Sequence, residues 1–320
     1  MRPVLAVLLI TFPFFALVLC GYVAARRRVL SQAAIPGLNV FVLYFALPCM
    51  LFRFGAGTPV AQFLDPGIVG VYVACALLMV AVTVAVTRSH RIGWNDAAFG
   101  ALVAAFPNTG YMGVPLLVAL LGAQAAGPAI VTILLDLLVT SSLCIALSRL
   151  GTAGADGARR AVGSALKGIA VNPLPWAIIL GGVASAVGLE LPKPVAQTIG
   201  LLADAASPVA LFTIGAVLAR SQMSSTDPTP LTEYLPVALK KLVLHPLAVW
   251  LVGTAAIGLG APLDKSALTV VVLVAALPSA SNVAMLAERY GADSGRIARV
   301  ILVSTAAAFL TFSGAVALLT

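Results

Sequence analysis

The chain has 320 residues, of which 61% are hydrophobic and only 9% charged, with a mean hydropathy of +1.08. Soluble globular domains carry about 25% charged residues, so the composition excludes an ordinary soluble enzyme or binding domain. The formal charge of +8 does not mark a nucleic-acid binder either, because nearly all the basic residues fall in short connectors between apolar stretches.

Ten stretches approach the roughly 20 apolar residues that cross a bilayer: 4–25, 35–54, 67–87, 97–121, 126–149, 168–189, 196–219, 236–259, 267–289 and 297–319. The first resembles a signal peptide, with Cys20 as a superficial lipidation site. However, it runs on to Ala25 and is followed by Arg26, Arg27 and Arg28, as in a retained helix whose N-terminus lies outside. The second holds Pro48 and ends near Arg53, whose long side chain is expected to snorkel to the interface. The third contains no acid. The fourth is interrupted by Phe106-Pro107-Asn108-Thr109-Gly110-Tyr111-Met112-Gly113-Val114-Pro115, and the fifth buries Asp136. A segment rich in Gly and Ala, 150–167, reads as a short cytoplasmic linker. In the seventh stretch Asp204 stands four residues before Pro208, where the helix is expected to open. The eighth begins near Lys240 and Lys241, taken as connector charges, and carries His245-Pro246, expected to be a packed histidine. The ninth is interrupted by Leu277-Pro278-Ser279-Ala280-Ser281-Asn282. Cys20, Cys49, Cys75 and Cys144 all lie inside apolar stretches and form no CxxC pair, and the chain has only two histidines. No disulfide framework, metal site or cofactor is expected.

Of the 19 Lys and Arg, all but Arg2, Arg53, Lys193 and Lys265 fall on one side of this scheme, Arg296 among them. The positive-inside rule then puts both termini outside. The halves also echo each other. Pro48 is followed by Phe52 and Gly55 as Pro208 is by Phe212 and Gly215, and Leu121-Gly122-Ala123-Gln124 matches Tyr290-Gly291-Ala292-Asp293. Residues 1–149 and 168–320 therefore read as two five-helix repeats. An odd number of helices makes the second repeat insert upside down relative to the first.

The matched interruptions carry the chemistry. Pro107, Pro115 and Pro278 remove backbone donors, and Gly110 and Gly113 loosen the helix. Each helix that resumes begins with free amides and a partial positive charge. Asn108, Thr109, Gly110 and Tyr111 from the first break, with Ser279, Ser281 and Asn282 from the second, would offer an anion site. No Lys or Arg neighbours either break in the sequence. The opposite, carbonyl-bearing ends could hold a cation instead. Asp136 and Asp204, acids deep in apolar helices, are candidates for coupling to H+ or Na+.

The run Pro107 to Pro115 resembles the helix-4 signature of the auxin efflux carrier family. Ala276-Leu277-Pro278-Ser279 through Ala287-Glu288-Arg289-Tyr290-Gly291 is similar to that family's helix-9 segment. The resemblance implies an all-α polytopic fold like the sodium/proton antiporters and bile acid symporters: ten transmembrane helices in a 5+5 inverted repeat with broken crossing helices 4 and 9. It implies scaffold helices 1, 2, 6 and 7, transport helices 3–5 and 8–10, an elevator-like movement and a homodimer. Asn108 matches the family's substrate-contacting asparagine. Family members carry organic anions, among them auxin, malate and malonate. The expected function is a secondary transporter of a small carboxylate, symporter or uniporter, in a bacterial inner membrane. The alternative is an exchanger whose main ligand is Na+ or H+. With no HExxH, GxSxG or P-loop, neither an intramembrane enzyme nor an ATP-driven pump is expected.

Overall fold

The computed structural model describes residues 2–59, 65–149, 163, 170–224 and 229–320. Apart from Gly163, the linker at 150–167 lies outside the described residues. The regular structure among the described residues is helical, joined by short turns and connectors, save for one isolated antiparallel bridge. Seven helices among them are long and apolar enough to cross a membrane: Val7–Arg26, Ala34–Ala56, Pro66–Thr87, Ala123–Ser148, Lys193–Met223, Leu231–Gly258 and Ser294–Leu319. Three shorter apolar helices, Thr109–Leu121, Pro173–Val187 and Lys265–Ala276, stand where the remaining stretches were expected.

Several prolines are absorbed by widened turns. The stretch Val42–Ala46 is π-helical, and the Leu47 amide reaches back to the carbonyl of Val42 just before Pro48. Lys240–Leu244 does the same before Pro246, with the His245 amide on Lys240. A proline lacks the N–H for its own turn and its ring crowds that turn; a wider turn relieves both. Asp136–Thr140 is also π-helical, with no proline behind it.

Two expectations need correction. The helix Lys193–Ser224 runs straight through Pro208, so the chain does not open beside Asp204. The eighth stretch begins at Leu231, because Pro236 is accommodated inside the helix Leu231–Leu239. Lys240 and Lys241 are thus carried well into the span.

The chain divides into two compact units. The first comprises residues 1–65, 109–131 and 172–225. It is held by backbone-close helix crossings at glycine. A Cβ on Gly21 would overlap the Phe212 carbonyl oxygen, and one on Gly215 would overlap that of Val18, so the helices Arg2–Arg26 and Lys193–Ser224 touch main chain to main chain. The helices ending at Ala56 and Val187 meet the same way: a Cβ on Gly181 would lie 2.5 Å from the Phe52 oxygen, and one on Gly55 would lie 3.1 Å from that of Ile178. Small residues permit such approaches in membrane helices. The helix Pro173–Val187 is closed at both ends, by Asn172 accepting from the Leu174 amide and by Gly188 at φ 64°. Its counterpart near the start of the chain ends with Arg28 at φ 59°. The same spacing along the chain separates Gly21 from Gly181, Arg28 from Gly188, Pro48 from Pro208 and Gly55 from Gly215.

The second unit comprises residues 66–108, 132–171 and 226–320. Its core is a dense run of small and branched residues, with Ala97 to Ala105 and Val270 to Leu277 buried without interruption. Arg296, expected in a connector, is buried: its Nε donates to the Glu233 carbonyl at 3.1 Å and its guanidinium to that of Asp96 at 3.3 Å. Asp293 caps the helix Ser294–Leu319 through the Arg296 amide, and its own amide donates to Asp96 Oδ1 at 2.8 Å.

Candidate functional site

The helix Trp94–Ala105 stops because Pro107 follows two residues on, and Phe106 turns extended (φ −100°, ψ 100°). The helix Lys265–Ala276 stops for the same reason before Pro278, with Leu277 extended (φ −62°, ψ 156°). The two extended segments pair. Asn108 donates its amide to the Pro278 carbonyl at 2.8 Å, Ala280 donates to Phe106 at 3.0 Å, and Pro107 faces Ser279 in the antiparallel bridge. Each break thus satisfies part of the backbone that the other leaves bare.

The carbonyls orphaned by the prolines are also filled. In an uninterrupted helix Val103 would accept from residue 107, which is a proline with no N–H. The Ser279 hydroxyl takes that place, donating to the Val103 oxygen at 2.7 Å. Ala275 would accept from Ser279, whose amide instead donates to Ser304 Oγ at 3.2 Å. Lys241 takes that place, with Nζ 2.6 Å from the Ala275 oxygen. The expectation that no Lys or Arg stands beside either break is therefore corrected. Lys241 is fully buried, and the fold brings it there from a span distant in sequence.

Lys241 opens onto a wider polar cluster inside the second unit. Its Nζ lies 3.2 Å from Nδ1 of His245, one helical turn on. An ammonium only donates, so Nδ1 accepts and the ring proton sits on Nε2, which is buried and has no partner. The His245 ring lies 6.2 Å from that of Tyr72. The Tyr72 hydroxyl donates to Asp136 Oδ2 at 2.8 Å, and the Thr140 hydroxyl donates to Oδ1 at 3.0 Å. Asp136 and Lys241 make no direct ion pair, yet each lies within the other's electrostatic reach. Both charged residues occupy π-helical turns, a feature frequent at functional sites.

The structure sorts the residues singled out in the sequence. Pro107, Asn108, Pro278 and Ser279 form the crossing, and Asn108 is buried at 4% exposure. Ser281 is buried, and Asn282 starts the helix Asn282–Arg289, whose Val283 and Ala284 amides donate to the Ala280 and Ser281 carbonyls at 3.3 and 3.4 Å. The Asn282 Oδ1 is buried without a partner. Ser279 is committed through its hydroxyl proton, which leaves only lone pairs. Thr109, Gly110, Tyr111, Gly113 and Pro115 belong to the first unit. There Thr109, Tyr111 and Gly113 are buried in a π-helical turn, and Thr109 Oγ1 has no partner. Asp136 sits in the buried cluster. Asp204 does not; it pairs with Arg53 at 2.7 Å within the first unit, with the side chains 68% and 43% exposed. A cleft of about 880 Å3 elsewhere in the second unit runs along Leu77, Val80 and Val84 to Arg88, His90 and Trp94. It does not include the crossing. Among the described residues no group of three or more His, Cys, Asp or Glu could hold a metal ion.

A chain of apolar spans with two mutually paired interruptions and a polar interior defines a membrane transporter. Residues 6–153 and 156–316 match the membrane transport protein family, and the chain belongs to it. This is the auxin efflux carrier grouping to which the run Pro107 to Pro115 points. The chain is 31% identical over 313 residues to a Rhizobium meliloti (strain 1021) protein with the name "Putative malonate transporter", covering 95% of this chain and 93% of that one. It is 28% identical over 293 residues to the "Uncharacterized transporter YfdV" of Escherichia coli (strain K12), covering 87% and 86%. A Methanothermobacter thermautotrophicus "Uncharacterized transporter" is 28% identical over 296 residues, 90% of each chain.

Proposed function

We propose that this membrane protein is a secondary carrier of a small organic anion, a mono- or dicarboxylate such as malonate or malate, bound at the Pro107–Ser279 crossing. One observation carries the reading: at each carbonyl-bearing end of the crossing one carbonyl is already occupied by the chain's own side-chain donor, Ser279 on Val103 and Lys241 on Ala275. The anion would lie at the start of the helix at Asn282, where the Val283 and Ala284 amides make only long bonds of 3.3 and 3.4 Å to the preceding turn, with Ser281 and the Asn108 side chain beside the paired segments. Helix starts carry partial positive charge, and the buried Lys241 ammonium adds to it. The R. meliloti relative's printed name points to the same class of substrate. The cation-exchanger reading has weaker support, because two of the carbonyls a cation could use, Val103 and Ala275, are taken.

In this reading the chain has ten spans in two inverted five-helix repeats, with both termini outside a bacterial inner membrane. The glycine crossings at Gly21/Phe212 and Gly181/Phe52 support it, since each element of one recurs at the same spacing in the other. The left-handed closures at Gly122 (φ 90°) and Gly291 (φ 69°) support it likewise. Transport would be elevator-like, with the second unit moving as a body that carries the crossing. The carrier would work as a homodimer. Counterflow of radiolabelled malonate and malate in proteoliposomes tests the function. Saturable counterflow in the wild type, with an apparent affinity that Asn108→Ala lowers by about 10- to 100-fold, is expected. Folded protein that exchanges no carboxylate but moves Na+ would overturn it.

A further inference from the structure

Among the described residues Asp136 is the one buried acid, and the crossing chemistry leaves it unexplained. It lies 1% exposed inside an apolar unit, where an ionised carboxylate is costly and by default functional. Its oxygens already accept from Tyr72 and Thr140, and Lys241, the cation within its electrostatic reach, donates to the Ala275 carbonyl. The groups around it are few. Tyr72 and Cys75 come from the helix Pro66–Thr87, and Cys144 from Ser141–Ser148. Lys241 and His245 come from the span Leu231–Gly258. The helix Lys265–Ala276 adds the Ala275 carbonyl. Lys240, on the same span as Lys241, faces the Arg296 guanidinium instead.

A metal cation fits this cluster poorly, because the ammonium of Lys241 repels it and hydroxyl protons already fill the carboxylate. A proton needs neither coordination shell nor space. It converts Asp136 from carboxylate to carboxylic acid, and the Tyr72 hydroxyl or Thr140 hydroxyl turns to accept. With Asp136 ionised, the charges of Asp136 and Lys241 cancel. With Asp136 protonated, Lys241 is left with uncompensated positive charge, and Lys241 touches the last turn before the crossing. Protonation at Asp136 therefore raises the positive potential where the anion binds. By linkage, anion binding must favour protonation to the same extent.

Resting on the carrier reading above, we propose that Asp136 is the proton-loading residue: one proton taken up there accompanies each anion bound at the crossing, so a monoanion crosses with no more charge than the empty unit carries and a dianion with one negative charge in place of two. Lys241 is the positioning residue that links the two sites.

Substrate affinity is measured by counterflow of radiolabelled malonate, without a proton gradient, between pH 5.5 and 8.5, and proton entry is reported by pyranine during net malonate uptake into vesicles that hold no substrate. In the wild type, affinity is expected to fall about tenfold per pH unit above the midpoint, with proton entry accompanying uptake. Asp136→Asn carries the neutral form permanently. It is expected to bind at the acid-side level at every pH, and to move no protons. If Asp136→Asn fails to fold, Tyr72→Phe decides: loss of one donor to the carboxylate should displace the profile to the alkaline side by roughly one unit. Wild-type counterflow that is flat with pH overturns the proposal and leaves the carrier function standing. So does a pH dependence retained in Asp136→Asn, an unmoved profile in Tyr72→Phe, or coupling to sodium instead of protons. Absence of counterflow with any carboxylate overturns the carrier reading itself and this proposal with it.

Discussion

Ser279→Ala isolates the bond that closes the crossing. Ser279 is fully buried, and its hydroxyl is the donor the Val103 carbonyl receives in place of the missing Pro107 N–H. Alanine removes one oxygen and leaves that carbonyl buried without the bond. A lost buried hydrogen bond with an orphaned partner costs about 1–3 kcal/mol. At about 2–4 °C per kcal/mol for a chain of this scale, the apparent melting temperature in detergent should fall by about 2–12 °C. Ser281→Ala, two residues on, is the control. Its stability should stay within about 0.5 kcal/mol of wild type, while its apparent substrate affinity falls. Thermal unfolding followed by tryptophan fluorescence reads the first effect and counterflow the second. Equal melting temperatures for Ser279→Ala and wild type would refute the view that this hydroxyl replaces the proline's lost donor. The same loss in Ser281→Ala would refute the division of labour between the two serines.

Other substitutions test other parts of the fold. Gly21→Ala drives a methyl group into the Phe212 carbonyl, and since no side chain can rotate away the cost should be about 1–3 kcal/mol or more. Gly200→Ala, with open space around it, should be neutral or slightly stabilising, and one thermal-shift series covers both. Asn108→Ala should weaken anion binding by about 10- to 100-fold, the worth of a hydrogen bond to a charged group, with the melting temperature in the absence of substrate nearly unchanged. Asp204→Asn breaks an ion pair in which both side chains are substantially exposed. It should change stability by less than about 1 kcal/mol, with a smaller effect at high salt, and should leave the pH profile of counterflow as in the wild type.

What could be read in the sequence was what depends on neighbours along the chain. Runs of about 20 apolar residues marked most spans to within a few positions, and Pro107 and Pro278 marked the breaks, because a missing N–H acts locally. What could not be read was which side chain fills the carbonyls those prolines leave. Lys241 stands next to Lys240 near an apparent helix start at Pro236, which is how a cytoplasmic connector looks. Only the helix's extension back to Leu231 shows that Lys241 is interior. The spacing of Lys241 and His245, one turn apart on one face, was the available signal. Arg296 misled for the same reason: a basic residue near a helix start reads as interfacial until three-dimensional packing supplies the Glu233 and Asp96 carbonyls. Asp204 misled in the opposite direction, since its partner Arg53 lies 151 positions away in the chain.

The pairing of the two interruptions also constrains how the chain can be made. The Val103 carbonyl and the Asn108 amide are synthesised long before Ser279 and Pro278 exist to meet them. Each such group costs several kcal/mol if left bare in lipid. The first five apolar stretches therefore enter the membrane owing hydrogen bonds to residues not yet translated. Until the ninth stretch arrives, the nascent Trp94–Leu121 region must stay beside water or the insertion machinery rather than face the acyl chains. Biogenesis of this carrier is thus late-committing: its fourth span can settle only when its ninth is inserted.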